Sequence, residues 1–135
     1  MMKKIRKKII REKAIIAVYQ YLLVGTTEDE IRFYLESDTS FSRDKSEFTY
    51  CFSFILKVIE RHEIYMQQLM PLLKKDWTID RLSKMELAIL LVATCEIVDE
   101  KIDKKVVINE AVEMSKRYCD DTAYKFINGI LNKVE

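Results

Sequence analysis

Leu87-Ala88-Ile89-Leu90-Leu91-Val92-Ala93 is an uninterrupted apolar run that follows directly on Ser83-Lys84-Met85-Glu86. The second stretch has the spacing of a capping box, in which a serine and a glutamate three residues later satisfy unpaired N–H groups at a helix start. A helix that begins here is apolar on every side, which is typical of a helix in the interior of a bundle. The sequence therefore predicts a central helix around which the others pack.

The composition supports a helical bundle. The chain has 135 residues, of which 49% are hydrophobic and 33% charged, with only two glycines and one proline. A β-sandwich or barrel needs turn residues at short, regular intervals, and this chain does not have enough of them. The high apolar content also excludes wholesale disorder. We expect a single all-α domain over residues 1–135, built from about six or seven helices.

Helix boundaries on the N-terminal side of the central run can be predicted from capping residues. A first helix is expected from about residue 4 to 24, ended by Gly25. Thr27-Glu28-Asp29-Glu30 is a second capping box and opens a short helix to about residue 37, followed by a polar loop over 38–43. A long third helix is expected from 44 to 70, since Pro71 disfavours helix at the residue before it. Its predicted inward face is Phe48, Phe52, Ile55, Ile59, His62, Met66 and Leu69.

Two further helices are expected after the central one. Asp103 is the predicted cap of the first, and Asp120 or Asp121 of the second. The predicted inward residues are Val107, Ala111, Met114 and Tyr118 on the first helix, and Ala123, Ile127, Ile130 and Val134 on the second.

Positive charge is concentrated at the start of the chain. Residues 1–24 carry a net charge of +6 and the remainder −5. Lys4, Lys8 and Arg11 share one face of the first helix, and Lys7 lies beside them. Cations at a helix N-terminus oppose the helix dipole, which favours an anionic partner; the alternative is a solvated face. Tyr19 lies two turns beyond Arg11, where it could stack on a nucleic-acid base or belong to the core.

The sequence gives little support for catalysis or for a metal site. Phosphate-binding glycine loops and the common hydrolase motifs are absent, and the single histidine, His62, falls on an apolar helix face where a core role is the simpler interpretation. The three cysteines are odd in number and widely spaced, which argues against a disulfide framework and favours a reducing cytoplasm. The basic head and apolar run of residues 3–24 resemble a signal peptide, but tyrosines and Gln20 interrupt the run, so we expect neither export nor a membrane span.

Several motifs resemble those of the NusB family of bacterial transcription antitermination factors. The resemblance covers nearly the whole chain, in the family's order and spacing. It rests on Arg11-Glu12-Lys13-Ala14 with Ala17-Val18-Tyr19-Gln20, on Trp77-Thr78-Ile79-Asp80-Arg81-Leu82, on Glu86-Leu87-Ala88-Ile89-Leu90 through Glu96, on Lys105-Val106-Val107-Ile108-Asn109-Glu110-Ala111-Val112-Glu113, and on Lys125-Phe126-Ile127-Asn128-Gly129-Ile130-Leu131.

The resemblance implies both fold and function. Members of this family are all-helical and consist of two small helical bundles. They bind boxA-type single-stranded RNA of ribosomal operons together with the ribosomal protein NusE. The complex joins RNA polymerase and other Nus factors and supports processive rRNA transcription, without catalysis and without a cofactor. NusB-like domains also precede rRNA methyltransferase domains, but for a chain of 135 residues we expect the free-standing factor.

Matching positions give the candidate site that the resemblance implies. Glu86 and Thr122 correspond to the junction of RNA and partner, as weaker assignments. Asn109, Asn128 and Gly129 are interpreted as structural, the glycine because a missing side chain permits close helix approach. The candidate RNA-binding residues are Lys4, Lys7, Lys8, Arg11, Tyr19, Lys125 and Phe126.

Some positions depart from the family pattern. The basic start uses mainly lysine where the family prefers arginine, which keeps the charge but loses bidentate phosphate geometry. Leu91 and Cys95 replace a common arginine and tyrosine, and Thr122-Ala123 replaces an acidic residue and serine at the expected RNA edge. Two alternatives to an antitermination factor remain, namely a stand-alone rRNA-binding module and a helical protein-interaction adaptor.

Overall fold

The computed structural model describes residues 6–41, 44–75 and 77–135, and over these residues it contains α-helices and short 3₁₀ turns but no β-strand. The all-α prediction is confirmed. The helices are α1 (Lys7–Val24), α2 (Glu28–Glu36), α3 (Lys45–Glu60), α4 (His62–Leu69), α5 (Lys84–Val98), α6 (Lys104–Tyr118) and α7 (Ala123–Lys133). None of the described helices combines the length and the apolar character needed to cross a membrane.

Helix α5 forms the centre of the molecule. Every residue from Leu87 to Glu96 is buried, and α1, α3, α4, α6 and α7 all pack against it. The predicted capping box is present: the Glu86 N–H donates to Ser83 Oγ and the Ser83 N–H donates to Glu86 Oε1, both over 3.0 Å. This box fixes where α5 begins, and places the half-buried Glu86 directly before the buried run that starts at Leu87.

The boundaries of α1 and α2 follow the sequence signals. Gly25 ends α1 with a φ of 66°, a left-handed conformation that glycine adopts without the Cβ clash of other residues. Its N–H donates to the Tyr21 carbonyl over 2.8 Å. Thr27 and Glu30 form the second capping box at the start of α2. The predicted end of α1 and the capping box of α2 are confirmed, whereas α1 begins at Lys7 rather than near residue 4.

The predicted long third helix is instead two helices. The helix is interrupted at Arg61, whose φ of −104° and ψ of 9° lie outside the helical region. Arg61 Nε donates to Asp99 Oδ2 over 3.0 Å and the Tyr65 hydroxyl donates to the same carboxylate. These contacts tie the break to the end of α5. Near this break Val58 and Tyr65 are buried, whereas Ile59 and His62, predicted to face inward, are only half-buried.

The last two helices correct two details of the prediction. Asp103 caps α6, accepting from the Lys105 N–H over 2.9 Å, but Tyr118 is exposed because its hydroxyl reaches out to Glu12 on α1. Neither aspartate before α7 caps it; the Ala123 N–H donates to the backbone carbonyl of Asp120 over 3.0 Å, so a main-chain turn precedes the helix. The inward residues predicted for α7, namely Ala123, Ile127, Ile130 and Val134, are buried.

Candidate nucleic-acid interface

The start of α1 presents exposed lysines. Lys4 lies outside the described residues. Arg6 is held by Glu47, a buried carboxylate of α3 that accepts from the Arg6 backbone N–H over 2.9 Å and from its guanidinium over 2.7 Å. Lys7 and Lys8 are exposed, and the Lys7 ammonium lies 4.3 Å from the centre of the Tyr50 ring. Of the predicted basic cluster, Lys7 and Lys8 therefore remain accessible to an anion.

Arg11 does not belong to this exposed face. Its side chain is only 7% exposed, and Nε and Nη2 each donate to one oxygen of Glu96 over 2.7 Å. Burial alone would lower the pKa of Arg11, but the hydrogen bonds to Glu96 and the charge of its carboxylate outweigh this, so the pKa is raised. Arg11 is thus a permanently charged group bound to a buried partner on α5. The structure therefore contradicts its assignment as a phosphate contact.

Tyr19 lies at a small surface cavity. It is half-buried and lines a cavity of about 280 Å³ between the C-terminal half of α1, the first turn of α5 and the end of α6. The residues that line this cavity with Tyr19 include Glu86, Tyr118, Cys119 and Asp120. Tyr19 is therefore neither fully core nor fully solvated, and its ring is within reach of a bound ligand.

Lys125 and Phe126 line a larger groove. This groove, of about 650 Å³, lies between α7 and the connection that joins α4 to α5. Lys125 is exposed and Phe126 is half-buried. The Phe126 ring lies 6.0 Å from the ring of Trp77, tilted by 37°. Thr122, one of the two weaker assignments, also lines this groove.

The two cavities adjoin each other. Glu86 and Asp120 line both of them, so the structure brings together residues that the resemblance placed in one site, although they are up to 107 positions apart in sequence. They are Tyr19, Glu86, Thr122, Lys125 and Phe126.

The exposed lysines lie at the N-terminal start of α1, away from these two cavities. Lys8 and Tyr19 are 11 positions apart, which is about 17 Å along a helix axis. Between them Glu12 accepts from Arg117 Nη1 over 2.9 Å and from the Tyr118 hydroxyl over 2.7 Å. This contact fixes the end of α6 against α1. The surface therefore runs from the basic start of α1, past Arg117, to the adjoining cavities.

Sequence reasoning missed several cations and one aromatic residue of the groove. In the sequence Trp77 is notable only as part of a family motif. The basic residues that line the groove with it show no local sequence pattern that distinguishes them from ordinary solvated charges. The chain brings them to α7 only through the fold. They are Lys74, Trp77, Arg81 and Lys133.

The interpretation of Gly129 changes. A Cβ added to this residue would meet no atom of another described element within 4 Å, so no neighbouring helix of the described chain approaches closely there. Gly129 instead lines the groove, on the exposed side of α7.

Comparison with known proteins identifies the family. The NusB family model matches residues 8–135. A transcription antitermination protein NusB from Staphylococcus epidermidis is 45% identical over 76 residues, a match that covers 56% of this chain and 59% of the relative. The matched segment thus spans less than two thirds of that relative's length.

Solved structures share the fold over nearly the whole chain. T. maritima NusB superimposes with a TM-score of 0.83 at 28% identity, covering 98% of this chain and 92% of that one. A crystal structure of antitermination factors NusB and NusE in complex with dsRNA gives a TM-score of 0.82 at 24% identity, with 95% and 94% covered. Since the family model extends from the first turn of α1 to the C-terminus, the chain belongs to the NusB family.

Proposed function

We propose that this protein is a cytoplasmic transcription antitermination factor. In this proposal it binds boxA-type single-stranded RNA of ribosomal operons together with the ribosomal protein NusE, and joins RNA polymerase and other Nus factors to support processive rRNA transcription. Family membership over residues 8–135 supports the general role. A structural neighbour whose title names NusB, NusE and dsRNA supports the choice of partners.

One observation carries the RNA-binding part of the proposal. Tyr19 and Phe126, which the sequence places far apart, line two adjoining cavities that share Glu86. Exposed lysines lie at both ends of this surface, Lys8 on α1 and Lys125 on α7. Single-stranded RNA is bound through this combination of phosphate-binding cations and rings on which bases stack.

The chemistry of the surface favours binding over catalysis. A catalytic cysteine needs a thiolate at neutral pH, which requires a lowered pKa. Burial here acts in the opposite direction, raising the pKa of Cys51 to about 12 and that of Cys95 and Cys119 to about 11. Among the described residues no group of three or more His, Cys, Asp or Glu side chains is arranged to hold a metal ion.

Two modest contacts used together account for affinity. RNA held on the surface of this protein and also by NusE would dissociate only when both contacts open, because the second contact is effectively intramolecular. The protein alone should therefore bind RNA weakly, and NusE should strengthen binding.

Substitution of Phe126 tests the RNA surface. Phe126→Ala should weaken binding of a boxA-like single-stranded RNA by about 1–3 kcal/mol, since this is the usual loss when a base loses its stacking partner. Fluorescence anisotropy of labelled RNA measures the affinity. Phe33→Ala is the matched control, because Phe33 is an exposed ring on α2 that lines neither cavity. Equal affinity of the Phe126 variant and the control would remove Phe126 from the site.

Salt dependence separates RNA binding from the adaptor alternative. Contacts with about four phosphates predict that log K falls with log salt at a slope of roughly −0.7 per contact. A flat dependence would contradict RNA binding and favour a helical protein-interaction adaptor.

A further inference from the structure

The groove beside α7 is more basic than the site inferred from the sequence. Lys74, Arg81 and Lys133 line it in addition to Lys125, and the Trp77 and Phe126 rings lie among them. Lys74, Arg81 and Lys133 are exposed, and no ion pair joins any of the three to another described residue. The groove lining thus carries four cations and two carboxylates, Glu86 and Asp120, together with an aromatic pair.

Gly129 keeps the groove open. Glycine within a helix lowers its stability relative to alanine, so an interior glycine calls for a reason. Packing supplies none, because an added Cβ would meet no atom of another described element within 4 Å. Gly129 lines the groove next to Phe126 and Ile130, so any larger side chain there would project into the groove. The space beside Gly129 is therefore part of the groove and is not filled by a neighbouring helix.

We propose that this groove binds one nucleotide of single-stranded RNA. Its base would stack against Trp77 and Phe126 over Gly129, and Arg81 would bind its phosphate, with Lys74 and Lys133 on the flanking backbone. The groove volume of about 650 Å³ lies within the roughly 300–1,000 Å³ of small-ligand sites. The proposal rests on the proposed function and extends it, since the RNA path continues from the Tyr19 cavity across Glu86 to the far side of α7.

Charge and shape favour RNA over a peptide as the occupant. The acidic residues of the groove, Glu86 and Asp120, also line the Tyr19 cavity, whereas its four cations and the ring pair line this groove alone. An exposed aromatic face beside a guanidinium matches a base followed by a phosphate. Continuity with the Tyr19 cavity allows one strand to occupy both.

Trp77 provides a direct reporter because it is the only tryptophan in the chain. Unlabelled boxA-like RNA is titrated into the full-length protein while Trp77 emission is recorded, and labelled RNA gives the anisotropy curve in parallel. We expect Trp77 emission to be quenched with the same midpoint as the anisotropy change. Emission that responds to NusE alone and not to RNA would overturn the proposal in favour of a protein contact.

Variants of Gly129 separate binding from folding. Gly129→Leu fills the groove while favouring helix, so we expect an unchanged or higher melting temperature together with at least fivefold weaker RNA binding. Trp77→Leu should weaken binding about 5- to 150-fold, the range for loss of one stacked base, and Trp77→Phe should recover most of it. Arg81→Glu should weaken binding about tenfold. Lys101→Glu is its matched control, since Lys101 is exposed at the opposite end of α5.

The outcomes distinguish this proposal from the function on which it rests. If wild-type protein binds RNA but Trp77 emission stays constant and Gly129→Leu binds as tightly as wild type, the groove proposal is overturned and the proposed function stands. If wild-type protein with NusE binds no RNA even at low salt, both are overturned.

Discussion

Removal of the Arg11 guanidinium should destabilise the protein strongly. Arg11 and Glu96 form two 2.7 Å hydrogen bonds, and their side chains are only 7% and 4% exposed. Arg11→Ala would leave the Glu96 carboxylate buried without its partner, and loss of one member of such a pair costs about 3–5 kcal/mol. Because small domains have unfolding free energies of about 5–15 kcal/mol, the variant should still fold.

Urea denaturation followed by circular dichroism measures this effect. With an m-value of about 2 kcal/mol/M, the unfolding midpoint should fall by about 1.5–2.5 M. The double variant Arg11→Met with Glu96→Leu should recover most of the loss, since replacing both charges with apolar residues removes the uncompensated carboxylate. RNA affinity, measured in the absence of urea where the variants are folded, should change less than threefold.

The opposite result would refute this reasoning. If Arg11→Ala unfolds at the wild-type urea concentration and binds RNA tenfold more weakly, Arg11 acts on RNA as the sequence first indicated. The buried ion pair would then contribute nothing measurable to the fold.

Three further predictions follow from the described residues. The double variant Lys7→Glu with Lys8→Glu should weaken RNA binding at least tenfold, as measured by anisotropy, because two phosphate-binding charges are lost. Its helical circular dichroism should remain that of the wild type. Loss of helix would instead mean that these lysines are structural. Burial raises the pKa of Cys119 to about 11, so iodoacetamide should modify this thiol slowly at pH 8 and faster as the pH rises toward 10. Because Cys119 lines the Tyr19 cavity, bound RNA should slow the modification. A modification rate unchanged by pH or by RNA would contradict the geometry of the Tyr19 cavity. Gly25→Ala should lower the unfolding free energy by about 1–2 kcal/mol because φ there is 66°, whereas Gly129→Ala should raise it by up to about 1 kcal/mol; chemical denaturation of both variants checks the signs.

Local signals in the sequence were sufficient for most helix boundaries. The capping boxes at Thr27 and Ser83, the Asp103 cap and the stop at Gly25 all depend on residues within a few positions of each other. The all-apolar run from Leu87 predicted the central position of α5 for the same reason. These features need no knowledge of the tertiary structure.

Features that depend on distant partners could not be predicted in this way. Arg11 was placed with the exposed lysines because helical spacing puts it on their face, whereas its partner Glu96 lies 85 residues away. The break at Arg61 likewise depends on Asp99, 38 residues later. A periodic apolar pattern continues across such a break, so the sequence indicated one helix where there are two.

The candidate site likewise combines residues that could be predicted from the sequence with features that depend on the tertiary structure. The family resemblance supplied Tyr19, Lys125 and Phe126, and the fold places them at adjoining cavities. It supplied no ligand role for Trp77, and the space beside Gly129 becomes visible only when α7 is set against the connection before α5. The charge pattern alone placed Arg11 on the exposed basic face, because a formal charge does not show whether a side chain is buried.

The central claim is tested most directly by RNA selectivity in the presence of the ribosomal partner. Fluorescence anisotropy would be measured for a boxA-like RNA and a scrambled RNA of equal length, each with and without NusE. We predict tighter binding of the boxA-like RNA, with selectivity that appears or increases strongly when NusE is added. Equal binding of both RNAs, unchanged by NusE, would contradict the antitermination role and leave a basic helical surface without sequence preference.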